Sequence, residues 1–342
     1  SSSAASDVYK RQEEIRSLGG RVYKVAPYKD IIPHLKETYK ILKKNQYEVM
    51  HAFDNTLNLF PMFLGCVAGV KVRISESISK GDKNEKKTLI KYILRPFSHW
   101  FTNCYMANSI DCGIWQFGKK TYDRGKVNIF KTVIDANANA FNAKLREDTR
   151  KEFGWENKIV YGFIGRYVPQ KNPLFLIDIF NEIAKKQENA ILVMIGFGEL
   201  ENEMHDRIES YGVTDKVIDL GRRDDIKQFY NAFDAFLLPS LYEGMPVVGI
   251  EAQCSGLPIF FSKNITEETT ASELAYYIGL EETPNIWANK IVKVVNGHIH
   301  KRRSYVAEVI KNGFDSSNEA LRLQNFYLAK INQVDDMTGK EK

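Results

Sequence analysis

The chain has 342 residues, 44% of them hydrophobic, with 48 basic against 43 acidic side chains and a formal charge of +5. That length exceeds what one ordinary core buries, so two packed domains are expected, and the charge is too mild for a nucleic-acid binder while suiting an anionic ligand or a membrane surface. Four scattered cysteines, Cys66, Cys104, Cys112 and Cys254, have neither metal spacing nor scaffold density and read as free thiols of a reducing compartment.

In chain order, residues 1–12 open with a small-residue run and no strand pattern, as a non-native leader does. Residues 13–142 form a first α/β domain, with strands expected at 21–27, 47–53, 70–77, 104–109 and 126–134. Segment 83–106 mixes Lys83, Lys86, Lys87, Lys91 and Arg95 with Leu89, Ile90, Ile93, Leu94, Phe97, Trp100 and Phe101. Two readings stand for it: an amphipathic segment on an anionic bilayer, or a domain helix with a solvated basic face. No apolar run reaches the roughly 18 to 20 residues of a membrane span and no secretory signal is visible, so a cytoplasmic protein is expected, with a peripheral position on the inner face of the plasma membrane as the extension.

A hinge is expected at 141–151, leading into a second domain over 143–315. Apolar runs at 158–165, 190–196, 216–221, 234–240 and 257–262 alternate with helical patterns at 173–186, 199–211, 225–232 and 245–254. The alternation predicts a parallel, doubly wound sheet whose strands all end on one rim. Gly165-Arg166, Gly196 to Glu199, Gly221-Arg222, Pro239-Ser240 and Ser262-Lys263 all follow strands, so glycines, cations and hydroxyls gather there as an anion-binding rim. Residues 316–342 read as a terminal amphipathic helix and a disordered tail.

Glu243 and Glu251 lie eight positions apart in Tyr242-Glu-Gly-Met-Pro-Val-Val-Gly-Ile-Glu251, with Pro246 suited to a first helical position and Gly256 to a helix stop. At about 1.5 Å per residue the two carboxylates are roughly 12 Å apart, too far for the ~5 Å pair of a retaining glycosidase. The helix N-terminus between them attracts phosphate. A sugar at one end, a diphosphate in the middle and a ribose at the other would span the distance, which describes a nucleotide sugar.

Taken together, the motifs GRYVPQKN at 165–172, GFGELE at 196–201, LGRRDDI at 220–226, LLPSLYEGMPVVGIEAQCSGLP at 237–258 and the hinge run at 132–141 resemble the GT-B-fold retaining glycosyltransferases of family 4, in the branch from exopolysaccharide and capsule gene clusters. The resemblance covers most of the chain from about Glu13. It implies an α/β protein of two Rossmann-like domains facing each other across a cleft, an acceptor-side domain over 13–142 and a nucleotide-sugar domain over 143–315. The family's opening strand, glycine-rich loop and helix have no counterpart here, so the first domain is expected to be incomplete, truncated at the N-terminus.

The resemblance also assigns roles. Arg166 and Lys171 bind the donor diphosphate, whose growing charge two fixed cations can stabilise without a metal. Glu251 holds the ribose hydroxyls, and Glu243 meets the donor sugar and aligns its anomeric carbon. Backbone amides of Met245, Val247 and Val248 meet phosphate oxygens. Gly165, Gly196, Gly198, Gly221 and Arg222 approach the nucleotide. Arg166 and Lys171 taken singly also read as solvated surface cations, and Glu243 as an ordinary helix-start acid, a reading that suits Glu251 less well. Gly196-Phe-Gly198 begins like a dinucleotide fingerprint, but Glu201 replaces its third glycine, so no NAD is expected. His51 corresponds to a family histidine at the cleft, with a strand-end core or surface histidine as the alternative. Where relatives carry a His-Ser-His stretch this chain has Ser75-Glu76-Ser77, and Glu76 is the candidate replacement. His298 and His300 read as a solvated helix-end pair, not a metal site.

The expected function is metal-independent, retaining transfer of a sugar from a nucleoside diphosphate donor, a UDP-sugar foremost, to a growing surface glycan or lipid-linked acceptor, with no cofactor and no nucleic acid. The alternatives are a nucleotide-sugar epimerase of the same fold and an inactive nucleotide-sugar-binding or assembly subunit.

Overall fold

A computed structural model describes residues 12–79, 88–298 and 301–337. Among these residues the first domain holds a parallel sheet of β1 (Val49–Ala52), β2 (Val72–Ser77), β3 (Cys104–Ala107) and β4 (Val127–Ile129), in that order. The strand expected at 21–27 does not form. At Ala26 the backbone groups are taken by side chains instead: Ala26 N–H donates to the Glu37 carboxylate at 2.7 Å, and the Ala26 carbonyl lies 2.6 Å from His34 Nδ1. Pro27 has no N–H to offer a ladder.

Segment 83–106 is not one helix. Thr88–Leu94 is helical, Arg95–Phe97 forms a single 3-10 turn, and the segment ends in β3. Lys83, Lys86 and Lys87 lie outside the described residues, as do His300, the leader over 1–11 and the tail over 338–342. No described helix is long and apolar enough to cross a membrane.

The second sheet is also parallel and runs β10-β9-β8-β5-β6-β7, with β5 (Ile159–Ile164), β6 (Ala190–Ile195), β7 (Val217–Asp219), β8 (Ala235–Leu238), β9 (Ile259–Ser262) and β10 (Ala275–Ile278). Continuous Val, Ile, Leu and Phe runs suit strands covered on both faces, and β6, β8 and β9 are buried throughout. Packing is tight enough that a Cβ on Gly162 would sit 2.0 Å from the Phe233 ring. Strand β10 was not apparent in the sequence because it is a four-residue edge strand, partly exposed at three positions.

In this strand order β6 and β7 lie to one side of β5 and β8, β9 and β10 to the other. The order therefore reverses between β5 and β8, and the crevice outside the carboxyl ends of those two strands is where such a sheet binds ligands.

Two crossings join the domains side by side. Ile134 N–H donates to Phe314 O at 2.9 Å, and Ser316 N–H returns to Ile134 O at 2.8 Å. Beyond the second crossing the helix Ser316–Met337 lies back across the first sheet, placing Leu323, Phe326, Tyr327, Ile331 and Val334 against Val72, Ile74, Cys104, Met106 and Phe130. The terminal helix thus completes the core of the first domain.

Candidate functional site

The β5 and β8 loops are stapled to each other at the reversal point. After β5, the turn Pro169–Lys171 leads to Asn172 in the left-handed region at φ 55°, which aims the following helix Pro173–Ala184. Leu241 N–H donates to Gln170 O at 2.8 Å, Gln170 Nε2 donates to Tyr242 O at 3.1 Å, and Asn172 Nδ2 to Pro239 O at 3.2 Å. These bonds bring Lys171 Nζ within 2.5 Å of Glu243 Oε1, with the two side chains only 15% and 8% exposed. In the free protein each charge of this pair is the other's partner. A phosphate arriving beside Lys171 would compete with Glu243 for the ammonium and release the carboxylate toward whatever the phosphate carries.

The helix after Glu243 spans Val247–Cys254. Pro246 is its N-cap, at φ −71° and ψ 110°, not its first helical residue, and gives no side-chain cap. The opening amides of this helix are thus left for another acceptor at the positive end of the helix dipole. Val247 is exposed, Val248 half-buried and Met245 buried. Glu251 sits one turn in, where it accepts a hydrogen bond from Tyr230 Oη at 2.8 Å. Burial raises the Glu251 carboxyl above the usual carboxylate range, with the Tyr230 hydrogen bond and Lys227 pulling the other way. Glu251 is therefore a held acceptor on the rim, and Tyr230, which no sequence motif singles out, holds it.

The glycines serve backbone contact between loops. A Cβ on Gly196 would fall 1.8 Å from Gly165 O, and one on Gly198 would fall 2.3 Å from Tyr167 O. Gly196 N–H donates to Gly221 O at 2.9 Å, and Gly221 turns at φ 59°. Glu201, which displaces the fingerprint glycine, accepts from Gly198 N–H at 2.9 Å and closes its own loop. The loops after β5, β6 and β7 therefore meet as one surface, with Arg166 and Arg222 exposed on it.

His51 stands apart from this cluster. Its Nδ1 is 2.7 Å from Tyr327 Oη on the terminal helix, its Nε2 is 2.9 Å from Glu76 Oε2, and Phe53 stacks on its ring at 4.1 Å. The His51 and Glu76 side chains are only 8% and 10% exposed. Burial, together with the Glu76 charge, pushes Tyr327 up to about 12. Glu76 is thus engaged with His51 beneath the helix and does not stand free in the place of the absent histidine. Nothing in the sequence could pair His51 with Tyr327, 276 positions away. His298 is half-buried, with Nε2 3.2 Å from Gly256 O, and burial lowers its pKa, so it is not the solvated residue expected.

Residues 146–311 match the family model of the glycosyl transferases group 1. The chain is 28% identical over 323 residues to the putative glycosyltransferase EpsF of Bacillus subtilis, covering 92% of this chain and 84% of that protein. It is 26% identical to the Escherichia coli UDP-Gal:alpha-D-GlcNAc-diphosphoundecaprenol alpha-1,3-galactosyltransferase, over 86% of this chain and 78% of that one. Among solved structures it resembles Anabaena HepE in complex with UDP at a TM-score of 0.72 and 18% identity, covering 91% of this chain and 86% of the other.

Proposed function

We propose that the chain, which is similar to the group 1 glycosyl transferases over residues 146–311 and has the GT-B fold, moves a sugar from a UDP-sugar to a growing exopolysaccharide or lipid-linked glycan. The observation that carries the reading is the Lys171–Glu243 pair at the point of strand reversal, beside an uncapped helix N-terminus and one turn from Glu251. The diphosphate would lie on Lys171, Arg166 and the amides of Val247 and Val248, with the ribose at Glu251 and the sugar at Glu243. As the glycosidic bond breaks, the charge of the leaving diphosphate grows against cations already in position, which lowers the barrier without a metal. Transfer with retention follows the family resemblance.

The acceptor reading draws on the lipid-linked diphosphate in the name of the Escherichia coli relative. It also draws on exposed apolar side chains of the first domain, Phe63, Val67, Ile93 and Trp100, with Phe63 packed edge-on to Phe101 at 5.1 Å and Lys91 and Arg95 close to Ile93 in the chain. Such a surface fits a peripheral position on an anionic membrane face.

Calorimetric titration of the chain with UDP, GDP and UDP-sugars, alongside Glu251→Ala, tests the donor site. The expected outcome is UDP binding that Glu251→Ala weakens. Equal binding by both proteins would remove Glu251 from the site, and preference for GDP would change the donor.

A further inference from the structure

The helix Ile110–Phe117 of the first domain begins with a cap supplied by the second domain. Its first amides need acceptors. Ser109 Oγ takes Cys112 N–H at 3.2 Å, while both carboxylate oxygens of Glu268 take Ile110 N–H, at 3.0 and 2.9 Å, and Glu268 Oε1 reaches Asp111 N–H at 3.5 Å. Glu268 lies in the short turn Glu267–Thr269 beyond β9, where Thr266 Oγ1 receives its amide at 3.3 Å. A carboxylate at the positive end of a helix from another domain is a directional contact whose partner does not move with it.

The contact leads on to the cleft. At the far end of the same helix, Gln116 Nε2 donates to Asn55 O at 3.0 Å and to Ser75 Oγ at 3.2 Å. Asn55, in the left-handed region at φ 54°, accepts from the amides of Ile78 at 2.8 Å and Ser79 at 3.2 Å through its Oδ1. Ile78 O then meets the donor loop, where a Cβ on Gly244 would lie 2.9 Å from it. A series of contacts therefore runs from Glu268 through the helix and Asn55 to Ile78, and across to Gly244 beside Glu243.

We propose that Glu268 is a positioning residue for transfer: by capping the helix Ile110–Phe117 across the domain boundary, it sets the separation at which the acceptor-side loop 78–79 faces the donor-side Glu243. The consequence for catalysis rests on the transferase reading, whereas the geometric claim does not.

Cys66 is the exposed one among the four cysteines, and Lys186 is exposed on the second domain. Spin labels on Cys66 and on Lys186→Cys in the full chain report the interdomain distance by pulsed dipolar spectroscopy. One narrow distribution is expected for the parent, a longer and broader one for Glu268→Ala, and a return most of the way for Glu268→Gln, which keeps an acceptor oxygen at the same reach. UDP affinity should change less than about twofold in Glu268→Ala, because the nucleotide contacts lie within the second domain. A Glu268→Ala distribution that superimposes on the parent would overturn the proposal. So would equal broadening by both variants with a matching fall in Tm, since that is loss of local structure. If UDP binds none of the proteins, the donor reading fails while the distance measurement still decides the role of Glu268.

Discussion

In the second sheet inner strands β6, β8 and β9 are buried along their whole length, whereas in the first sheet each inner strand, β2 and β3, keeps one partly exposed position, at Arg73 and Tyr105. One continuous hydrophobic cluster fixes the second rim, while the first domain divides its core among small clusters and draws one wall from the terminal helix. Both halves follow the same parallel plan, yet one is self-sufficient and the other depends on an element delivered from the far end of the chain. The second domain is thus held by its own packing, and the first takes part of its geometry from contacts that cross between domains.

That contrast is most severely broken at Arg302. Its guanidinium donates to carbonyls of Tyr230, Asn231, Phe233 and Ser255, and burial with Arg146 nearby lowers its pKa to about 9. Arg302→Leu leaves those acceptors without a donor and should cost about 3 to 5 kcal/mol in urea denaturation, with the loss centred on the second domain. Lys171→Ala comes next. On the proposed donor site it removes a charged partner of the diphosphate and should weaken UDP binding by about ten- to a hundredfold, or roughly 1.5 to 3 kcal/mol, read by calorimetry with little change in the first domain. On the other side of the comparison, Tyr327→Phe deletes the hydroxyl that meets His51 and should destabilise the first domain by about 0.5 to 1.5 kcal/mol, seen as faster amide exchange in the helix Ser316–Met337 with UDP affinity unchanged.

The smallest effect concerns pH. The folded protein raises the Glu251 carboxyl above its unfolded value, so the native state binds that proton the more readily. The associated stability is fully present below the unfolded carboxylate range and is lost as pH rises through the folded value. Glu251→Gln, which can still accept from Tyr230, should therefore raise the apo Tm at neutral pH, with the gain shrinking as pH falls into the carboxylate range. A gain that does not change with pH would mean that ionisation of Glu251 is not its source.

The second domain was legible because most of its strands are apolar runs, three of them followed by Gly165, Gly196 or Gly221, and because Lys171 and Glu243 lie in loops, and Glu251 on the helix after them, whose meeting point follows from strand order. The first domain was less legible for a physical reason. Its edge positions are half-exposed, Ala26 satisfies its backbone through Glu37 and His34, and its core is closed by Leu323, Phe326 and Tyr327 from the opposite end of the sequence. Within the site, the partners rather than the ligand-facing groups escaped notice. Tyr230 acts through a tertiary contact that leaves no local pattern, the cross-domain partners of Glu268 are not encoded near it, and Pro246, a residue type that suits either side of a helix boundary, caps its helix rather than opening it.

The paired crossings at Ile134 and Phe314 to Ser316 bear on how the cleft can open. A single linking strand would act as a tether about which one half could swivel freely. Two segments bonded to each other constrain twist as two pins constrain a door. On the proposed transferase reading, any closure would return the same faces to the same register, and an acceptor on one leaf would meet the donor on the other without a search over orientations.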